Sequence, residues 1–218
     1  MTYYGQFHPP VDQFLHERYF SNHKNGTCIE CGAFDGQLES SCKFFEESMG
    51  WKSINIEASP PNFAKLVKNR PNSINLNIAL SDVNGTSNFS HVISPEMGEN
   101  FGNGSLHHLD IHKKDLINHG CKFVDYKVTT ITYVELLKNL KTELKLDFNK
   151  LDLMVLDVEG FELSVIKGMA GATIIPEIFC IEHGHLGIEA ITNALKSANL
   201  PYRYDTSLHV NSFYIKNN

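Results

Sequence analysis

Short apolar runs alternate with helix-period segments along this chain, and the alternation restricts its fold more than any other feature. The run Leu151–Leu156 is apolar at nearly every position, which is typical of a strand buried on both faces of a parallel sheet. Leu38, Cys42, Phe45 and Met49 recur at spacings of four, three and four, as on one face of a helix. Strands and helices in alternation predict an α/β doubly wound sheet.

The remaining elements follow from the same patterns. Strands are predicted at residues 27–30, 53–57, 75–80, 87–93, 151–156 and 173–181, with a final antiparallel pair at 202–205 and 212–215. Helices are predicted at residues 38–49, from 60 onwards, from 132 onwards, at 161–167 and around 188–195. In the helix that begins at Thr132 with a capping box, Leu136, Leu137, Leu140 and Leu144 are expected to face the core.

One domain is expected over residues 1–218, because 42% of the residues are hydrophobic and only 20% are charged. Residues 1–25 would form a helical lead-in. Residues 94–127 carry several glycines and histidines with few regular periods, so they are predicted to form an inserted lid or acceptor-binding segment. His107, His108 and His112 are expected on the surface of that lid.

The composition also restricts partners and compartment. Acidic residues exceed basic ones, giving a net charge of −6, and no dense basic stripe supports nucleic-acid binding. No apolar stretch is long enough to span a membrane. The N-terminal residues do not resemble a signal peptide, and five scattered cysteines are more typical of free thiols, so a cytoplasmic location is expected. Cys28 and Cys31 are interpreted as buried small side chains. The sequence carries no signal for the oligomeric state.

The predicted first and second strands end in groups suited to a ligand. The turn after the first strand runs from Gly32 to Gly36, and Glu30 and Asp35 add negative charge beside it. Carboxylates suit a cation or hydroxyl groups better than a pyrophosphate. The second strand ends at Glu57, near the offset at which doubly wound folds place an acid on ribose hydroxyls. A ribose-binding role is therefore predicted for Glu57.

The strands predicted at residues 151–156 and 173–181 also end in chemically active residues. Asp157 closes the apolar run 151–156, where it could hold a ligand amine, orient a hydroxyl or bind a metal. Glu159 precedes the next helix, so a catalytic role and simple stabilisation of the helix dipole both stay open. His183 is a candidate general base. A weaker alternative is a divalent metal site made by Asp157, His183 and His185.

Five ordered blocks, spread over residues 27–183, resemble the FkbM family of S-adenosylmethionine-dependent class I methyltransferases. They are Ile29-Glu-Cys-Gly-Ala-Phe-Asp-Gly36, Gly50-Trp-Lys52, Glu57-Ala-Ser-Pro60, Asn77-Ile-Ala-Leu-Ser-Asp82 and Leu156-Asp-Val-Glu-Gly-Phe-Glu162 with Val165-Ile-Lys-Gly168. The resemblance implies a Rossmann-like sheet of seven strands, mostly parallel with an antiparallel C-terminal strand. It also implies S-adenosyl-L-methionine as cofactor and methyl transfer, usually to oxygen.

The resemblance assigns site residues as well. Glu30, Gly32 and Asp35, with Ala33, Phe34 and Gly36 of the same turn, would surround the amino-acid part of the cofactor. Glu57 and Ala58 would meet the ribose, Ala79, Leu80 and Ser81 the adenine, and Asp157 the methionine end. Ser105 matches loosely a family segment that closes over the cofactor. Asp157, His183 and Glu159 are the catalytic candidates.

The predicted function is O-methylation of a hydroxyl on a saccharide or small metabolite. Two alternatives remain at this point. A nicotinamide-dependent oxidoreductase could use a similar sheet, although the acidic first turn disfavours it. A non-catalytic module that binds a glycan or a protein could keep the fold without the reaction.

Overall fold

The computed structural model describes residues 1–145 and 149–217. The helices are α1 (Val11–Leu15, continued by a π-helical turn His16–Phe20), α2 (Lys43–Met49), α3 (Pro60–Asn69), α4 (Asp110–Asn118), α5 (Tyr133–Thr142), α6 (Glu162–Lys167) and α7 (Ile188–Ser197). The strands are β1 (Thr27–Cys31), β2 (Lys52–Ile56), β3 (Ile74–Leu76), β4 (Ala79–Leu80), β5 (Gly85–Ile93), β6 (Lys122–Ile131), β7 (Leu151–Leu156), β8 (Pro176–Glu182), β9 (Tyr202–Leu208) and β10 (Asn211–Lys216).

The central sheet has seven strands in the order β3-β2-β1-β7-β8-β10-β9. All pairs are parallel except those of β10, which runs antiparallel to both β8 and β9. This confirms the predicted α/β sheet with one antiparallel C-terminal strand. The order turns outward in both directions from β1 and β7, so their carboxyl ends mark the crevice where such sheets bind ligands.

Helices cover both faces of the central sheet. Alternate apolar side chains of its strands point to opposite faces and so belong to two different cores. Leu153 and Val155 of β7 belong to the core on the α1 and α2 side, whereas Met154 and Leu156 belong to the core under α5, α6 and α7. Every residue of β7 is buried, as predicted for a strand covered on both faces. Among the helices of the described residues, none is long and apolar enough to cross a bilayer.

Cys28 and Cys31 of β1 lie in opposite cores. The structure shows both as buried free thiols, which confirms their interpretation as small core side chains. Extended backbone turns alternate side chains to opposite faces, so the spacing of these two cysteines separates them.

The predicted strand at residues 75–80 is wrong as a single element. β3 pairs with β2 in the central sheet, but β4 pairs with β6 in a separate sheet of order β4-β6-β5. Between them, the side-chain amide of Asn77 donates hydrogen bonds to the carbonyls of Glu57 and Ala58. A side chain thus takes carbonyls that a continued strand would have needed, and the chain passes to the second sheet.

The predicted helix at residues 38–49 begins only at Lys43. The buried Glu30 carboxylate accepts hydrogen bonds from Ser40 Oγ, Ser41 N and Cys42 N, and these bonds hold residues 40–42 in a turn. Leu38 is 45% exposed instead of facing the core. The spacing of apolar residues could not reveal a carboxylate from a neighbouring strand that binds this backbone.

Two smaller predictions also need correction. Leu144 is 46% exposed because α5 ends at Thr142, whereas Leu136 and Leu140 are buried as predicted. The strand predicted from residue 173 begins only at Pro176. By contrast, Thr132 Oγ1 accepts a hydrogen bond from Glu135 N, as a capping residue should.

The segment 94–127 is more regular than its sequence pattern indicated. It contains α4 and the first half of β6, which pairs with β5 along nine residues in an antiparallel ribbon. The irregular part is therefore confined to residues 94–109, and Ser90 and Ser105 tie it to β5 by two backbone hydrogen bonds.

Gly32 lies on the loop after β1, in close contact with the backbone of Asp157 on the loop after β7. Its φ is +89°, and a Cβ at this position would lie 1.7 Å from the carbonyl oxygen of Asp157. Backbone atoms cannot yield as a flexible side chain can, so only glycine fits here. The residue thus lets the β1 turn and Asp157 share one edge of the sheet.

We expect Gly32→Ala to destabilise the protein by about 3 kcal/mol beyond the cost of a left-handed alanine, because a methyl group must displace backbone. Gly171→Ala is the matched control, since Gly171 has a φ of +80° and a Cβ added there would meet nothing within 4 Å. That variant should lose only about 1 to 2 kcal/mol. Urea unfolding of both variants measures the difference, and equal losses would contradict the role assigned to Gly32.

Candidate active site

A cavity of about 390 Å³ opens at the carboxyl ends of β1, β2, β7 and β8. Its volume lies in the range of ordinary small-molecule sites. The irregular segment 94–109 forms one wall of the cavity, through Met97, residues 100–104 and Leu106. The small sheet contributes Ala79, Leu80 and Phe89 to the apolar side.

Carboxylates dominate the polar lining of this cavity. Six of them reach it: Glu30, Glu39, Glu57, Asp157, Glu159 and Glu182. Among the residues that the structure describes, no Lys or Arg lines the cavity. A site with this charge repels phosphates and favours a ligand that carries positive charge or donates hydroxyl hydrogen bonds.

Glu57 lies at the end of β2 with both carboxylate oxygens fixed by the backbone. Oε2 accepts from Phe34 N at 2.9 Å, and Oε1 accepts from Ser59 N at 2.7 Å. Burial raises the pKa of Glu57 to about 7, although the two N–H groups lower it. Each oxygen keeps a further lone pair, so the carboxylate can still accept two hydroxyl protons from a ligand in the cavity.

The first turn supplies shape more than ligand-binding side chains. Gly32, Ala33 and Phe34 line the cavity, and the N–H groups of Gly32 and Ala33 are taken by the carbonyl of Ile56. Glu30 reaches the cavity, but its oxygens are bound by residues 40–42. Burial raises the pKa of Glu30, and the nearby Arg70 opposes this rise.

Asp35 and Gly36 lie outside the cavity lining. Asp35 Oδ1 accepts hydrogen bonds from Gln37 N and Leu38 N, so it stabilises the turn. Gly36 packs against Leu66 and Arg70 of the α3 region. The structure therefore does not bring these two predicted cofactor residues to the cavity.

Asp157 and Glu182 lie at the ends of the neighbouring strands β7 and β8, and both line the cavity. Carboxyl groups that lie close together resist ionising at the same time, because their negative charges repel each other. Burial, followed by repulsion from Glu162, raises the pKa of Asp157 to about 7. Burial, followed by repulsion from Asp157, raises the pKa of Glu182 to about 10.

Glu159 lies on the loop between β7 and α6, with a left-handed φ of 55°. The Glu162 carboxylate holds this loop by accepting hydrogen bonds from Val158 N and Gly160 N. Glu159 faces the cavity, and burial together with repulsion from Asp157 raises its pKa. The structure thus places Glu159 among the acids of the site.

His183 does not line the cavity, whereas its neighbours Glu182 and His185 do. Its backbone N–H binds the carbonyl of Val210, and its ring Nδ1 is buried without a partner. The metal set predicted from Asp157, His183 and His185 is also not the one assembled. Among the described residues, the cluster with ligand atoms in reach of one ion is His112, Glu159 and His185.

The expectation that His108 and His112 lie on the lid surface is wrong. They are only 6% and 5% exposed, because Nε2 of each ring hydrogen-bonds to an oxygen of Asn103. Burial, followed by repulsion from His185, lowers the pKa of His112 to about 4. His107, in contrast, is exposed.

The predicted adenine and lid residues divide between the cavity and its support. Ala58, Ala79 and Leu80 line the cavity. Ser81 does not, and its N–H binds the carbonyl of Ile131. Ser105 is also outside the lining, and its hydroxyl donates to the carbonyl of Val158, which fastens the lid segment to the β7 loop.

Two further cavity residues escaped the sequence analysis. Asn62, on the first turn of α3, is 3% exposed, lines the cavity and has a buried Oδ1 without a partner. Its position just after Glu57 could have indicated it. The sequence pattern favours the histidines that follow Glu182, although Glu182 is the last residue of β8, whose partner β7 ends beside Asp157.

The buried acids make the stability of the ligand-free protein depend on pH. A carboxyl with a raised pKa in the folded state stabilises below its unfolded pKa and loses this contribution as pH rises through the folded value. Between pH 7 and 8.5 the unfolded chain has released these protons while Glu182 still holds one. We therefore expect the free energy of unfolding to fall, by about 1.4 kcal/mol per pH unit for each proton retained.

Urea unfolding at pH 7, 7.75 and 8.5 measures this slope. Glu182→Gln should flatten it, because the variant has no proton to retain, whereas the exposed Glu189→Gln should leave it as in the wild type. A free energy of unfolding that rises over this interval, or an unchanged slope in Glu182→Gln, would contradict the protonation described here.

Comparisons with known proteins identify the family and similar folds. The family model of the methyltransferase FkbM domain matches residues 30–204. Among solved structures, methyltransferase FkbM from Methylobacillus flagellatus KT is similar with a TM-score of 0.52 and 14% identity, covering 94% of this chain and 50% of that one. The present chain thus spans about half the length of that protein. No match was found among curated proteins.

Two other similar structures have lower TM-scores. The ribosomal protein L11 methylase from Lactobacillus delbrueckii subsp. bulgaricus has a TM-score of 0.46 and 11% identity, over 96% of this chain and 79% of that one. The N-terminal domain of human METTL16, in complex with SAH, has a TM-score of 0.43 and 11% identity, over 94% and 65%. The family match covers most of the chain, and the chain belongs to the methyltransferase FkbM family, with S-adenosylmethionine as its cofactor.

Proposed function

We propose that this protein transfers a methyl group from S-adenosylmethionine to a hydroxyl group of a saccharide or small metabolite. The observation that carries the proposal is the cavity at the strand ends, with six carboxylates and, among the described residues, no Lys or Arg. S-adenosylmethionine presents a sulfonium and an ammonium group, and both gain from such surroundings. Family membership supports the same cofactor.

The residues of the cavity fit the parts of this cofactor. Glu57 would accept the two ribose hydroxyls through the lone pairs that the backbone leaves free. Asn62 Oδ1, buried without a partner, would accept a hydrogen bond from the nucleoside. Ala79, Leu80 and Phe89 offer an apolar surface for the base. Asp157 and Glu182 would lie towards the cationic end.

When bound, the cofactor would supply an activated methyl group, whose transfer to the acceptor oxygen would break its bond to sulfur and leave the electron pair on sulfur. The protein's part is to align the acceptor and exclude water. Asp157 is the proposed general base, because it lines the cavity at the end of the central strand β7. The segment 94–109 is the proposed lid over the acceptor. Glu159 would help to orient the acceptor.

The acidic cavity also favours this function over the alternatives. A nicotinamide cofactor would bring a pyrophosphate to a site that, among the described residues, has six carboxylates and no Lys or Arg. A nucleic-acid acceptor would bring its phosphates to a protein with a net charge of −6. A neutral hydroxyl compound meets neither obstacle. A cytoplasmic location agrees with the five free thiols and stays a prediction.

Cofactor binding can be measured by calorimetry with S-adenosylhomocysteine. We expect Glu57→Gln to weaken binding at least about tenfold, because an amide cannot accept two hydroxyl protons as a carboxylate can. Glu189→Gln, on the exposed side of α7, should bind as the wild type does. A parallel titration with NADH should give no heat. Absence of S-adenosylhomocysteine binding in the wild type would overturn the proposal and favour the non-catalytic module.

The base assignment is tested by replacing the two competing residues. We expect Asp157→Asn to lower the rate of methyl transfer about 100-fold or more, as removal of a general base does. His183→Ala should keep the rate within about twofold of the wild type, since His183 is not part of the cavity lining. Transfer of a labelled methyl group to a panel of hydroxyl compounds measures both. The reverse ranking of the two variants would restore His183 as the base.

A further inference from the structure

Three side chains from separate parts of the chain meet beside the cavity. His112 comes from α4, Glu159 from the loop after β7, and His185 from the loop after β8. One ligand atom from each lies within 4.8 Å of the others, and His112 Nδ1 is 3.7 Å from Glu159 Oε2. Neighbouring ligands of a tetrahedral zinc ion lie about 3.3 Å apart. Small side-chain rotations would bring the three atoms to that separation.

The hydrogen bonds of His112 leave one ring nitrogen facing Glu159 without a partner. Nε2 bonds to Asn103 Oδ1 at 3.1 Å, so Nε2 carries the proton of the neutral ring. Nδ1 then presents a lone pair, and it is buried with no hydrogen-bond partner. His112 Nδ1 and the Glu159 carboxylate are therefore two acceptors that face each other. The His112 side chain is only 6% exposed.

Such an arrangement calls for a positive group between the two acceptors. Residues that hydrogen-bond to the second ring nitrogen of a metal-binding histidine fix the orientation and tautomer of its ring. Asn103 does this for His112 through Nε2. The His185 ring stacks on His112 at a centroid distance of 4.2 Å. His185 is exposed, so it can turn about its side-chain bonds to direct a nitrogen at the shared centre.

We propose that His112, Glu159 and His185 bind one divalent transition-metal ion. Two imidazoles and one carboxylate suit Zn²⁺, Fe²⁺ or Co²⁺ better than Mg²⁺ or Ca²⁺, which prefer oxygen ligands. Three protein ligands also leave at least one coordination position open. The site differs from the set of Asp157, His183 and His185 expected from the sequence, and shares only His185 with it.

The position of the ion suggests its task. Glu159 and His185 line the main cavity, while His112 and His185 also line a shallow surface depression beside α4. The ion would thus be reachable from solvent and would face the cavity. Its open position would bind the acceptor's hydroxyl oxygen and make that hydroxyl more acidic. This second part rests on the proposed methyl transfer.

Metal binding is measured on the full chain after dialysis against a chelator. Calorimetry with ZnCl₂ and absorption spectra with CoCl₂ should both give one ion per chain, without the charge-transfer band of a cobalt thiolate. His185→Ala removes an exposed ring and Glu159→Gln keeps the shape of its side chain, so both variants should fold. We expect each to bind Zn²⁺ at least about tenfold more weakly. His119→Ala, at the exposed end of α4, should bind as the wild type does.

The outcomes separate this proposal from the proposed function. No Zn²⁺ binding by the wild type, or equal binding by His185→Ala, would overturn the metal site. Zn²⁺ binding without S-adenosylhomocysteine binding would support the metal site and overturn methyl transfer. If both bind and methyl transfer proceeds equally without the ion, the metal site holds and its role at the acceptor is wrong.

Discussion

The carboxylates at the strand ends are held in place by the backbone, and the properties of the site follow from this. Glu57 is fixed by the N–H groups of Phe34 and Ser59, and the β7 loop is fixed by Glu162. Desolvation makes each negative charge costly, and burial raises the pKa values of Glu57, Asp157 and Glu182. A cation that enters the cavity would therefore bind favourably, because it would supply the positive charge that these carboxylates lack in the ligand-free protein.

Close backbone approach makes this concentration of charge possible. The carbonyl of Asp157 lies close to where a Cβ of Gly32 would be, so the carboxyl ends of β1 and β7 lie side by side. The second sheet and the lid segment then close the opposite side with apolar groups such as Phe89 and Leu106. The result is a cavity lined by both carboxylates and apolar side chains, as the proposed binding of a nucleoside with a charged tail requires.

Most of the fold could be predicted from the sequence because its central elements are set by local periodicity. The nearly all-apolar run of β7 and the turn at Gly32 predict parts of a doubly wound sheet, and the structure contains that sheet. The errors lie where a distant side chain binds backbone. Glu30 takes the N–H groups of residues 41–42, and Asn77 takes the carbonyls that would have extended β3. Neither effect leaves a periodic signal near the residues that it changes.

The site was predictable where strand ends determine it and unpredictable where separate loops meet. Glu57, Asp157 and Glu159 reach the cavity as their places after strands indicated. His183 does not, because the neighbouring residues Glu182 and His185 face the cavity instead. The approach of His112 to Glu159 depends on how α4 packs beside the loop after β7, and a single sequence contains no pattern for that contact.

A crystal structure of the protein with S-adenosylhomocysteine would test the central claim most directly. The ligand should occupy the cavity, with both ribose hydroxyls within hydrogen-bond distance of the Glu57 carboxylate and the sulfur at the Asp157 end. Density for the ligand elsewhere, or a cavity that stays closed by the protein's own side chains at saturating ligand, would contradict the account.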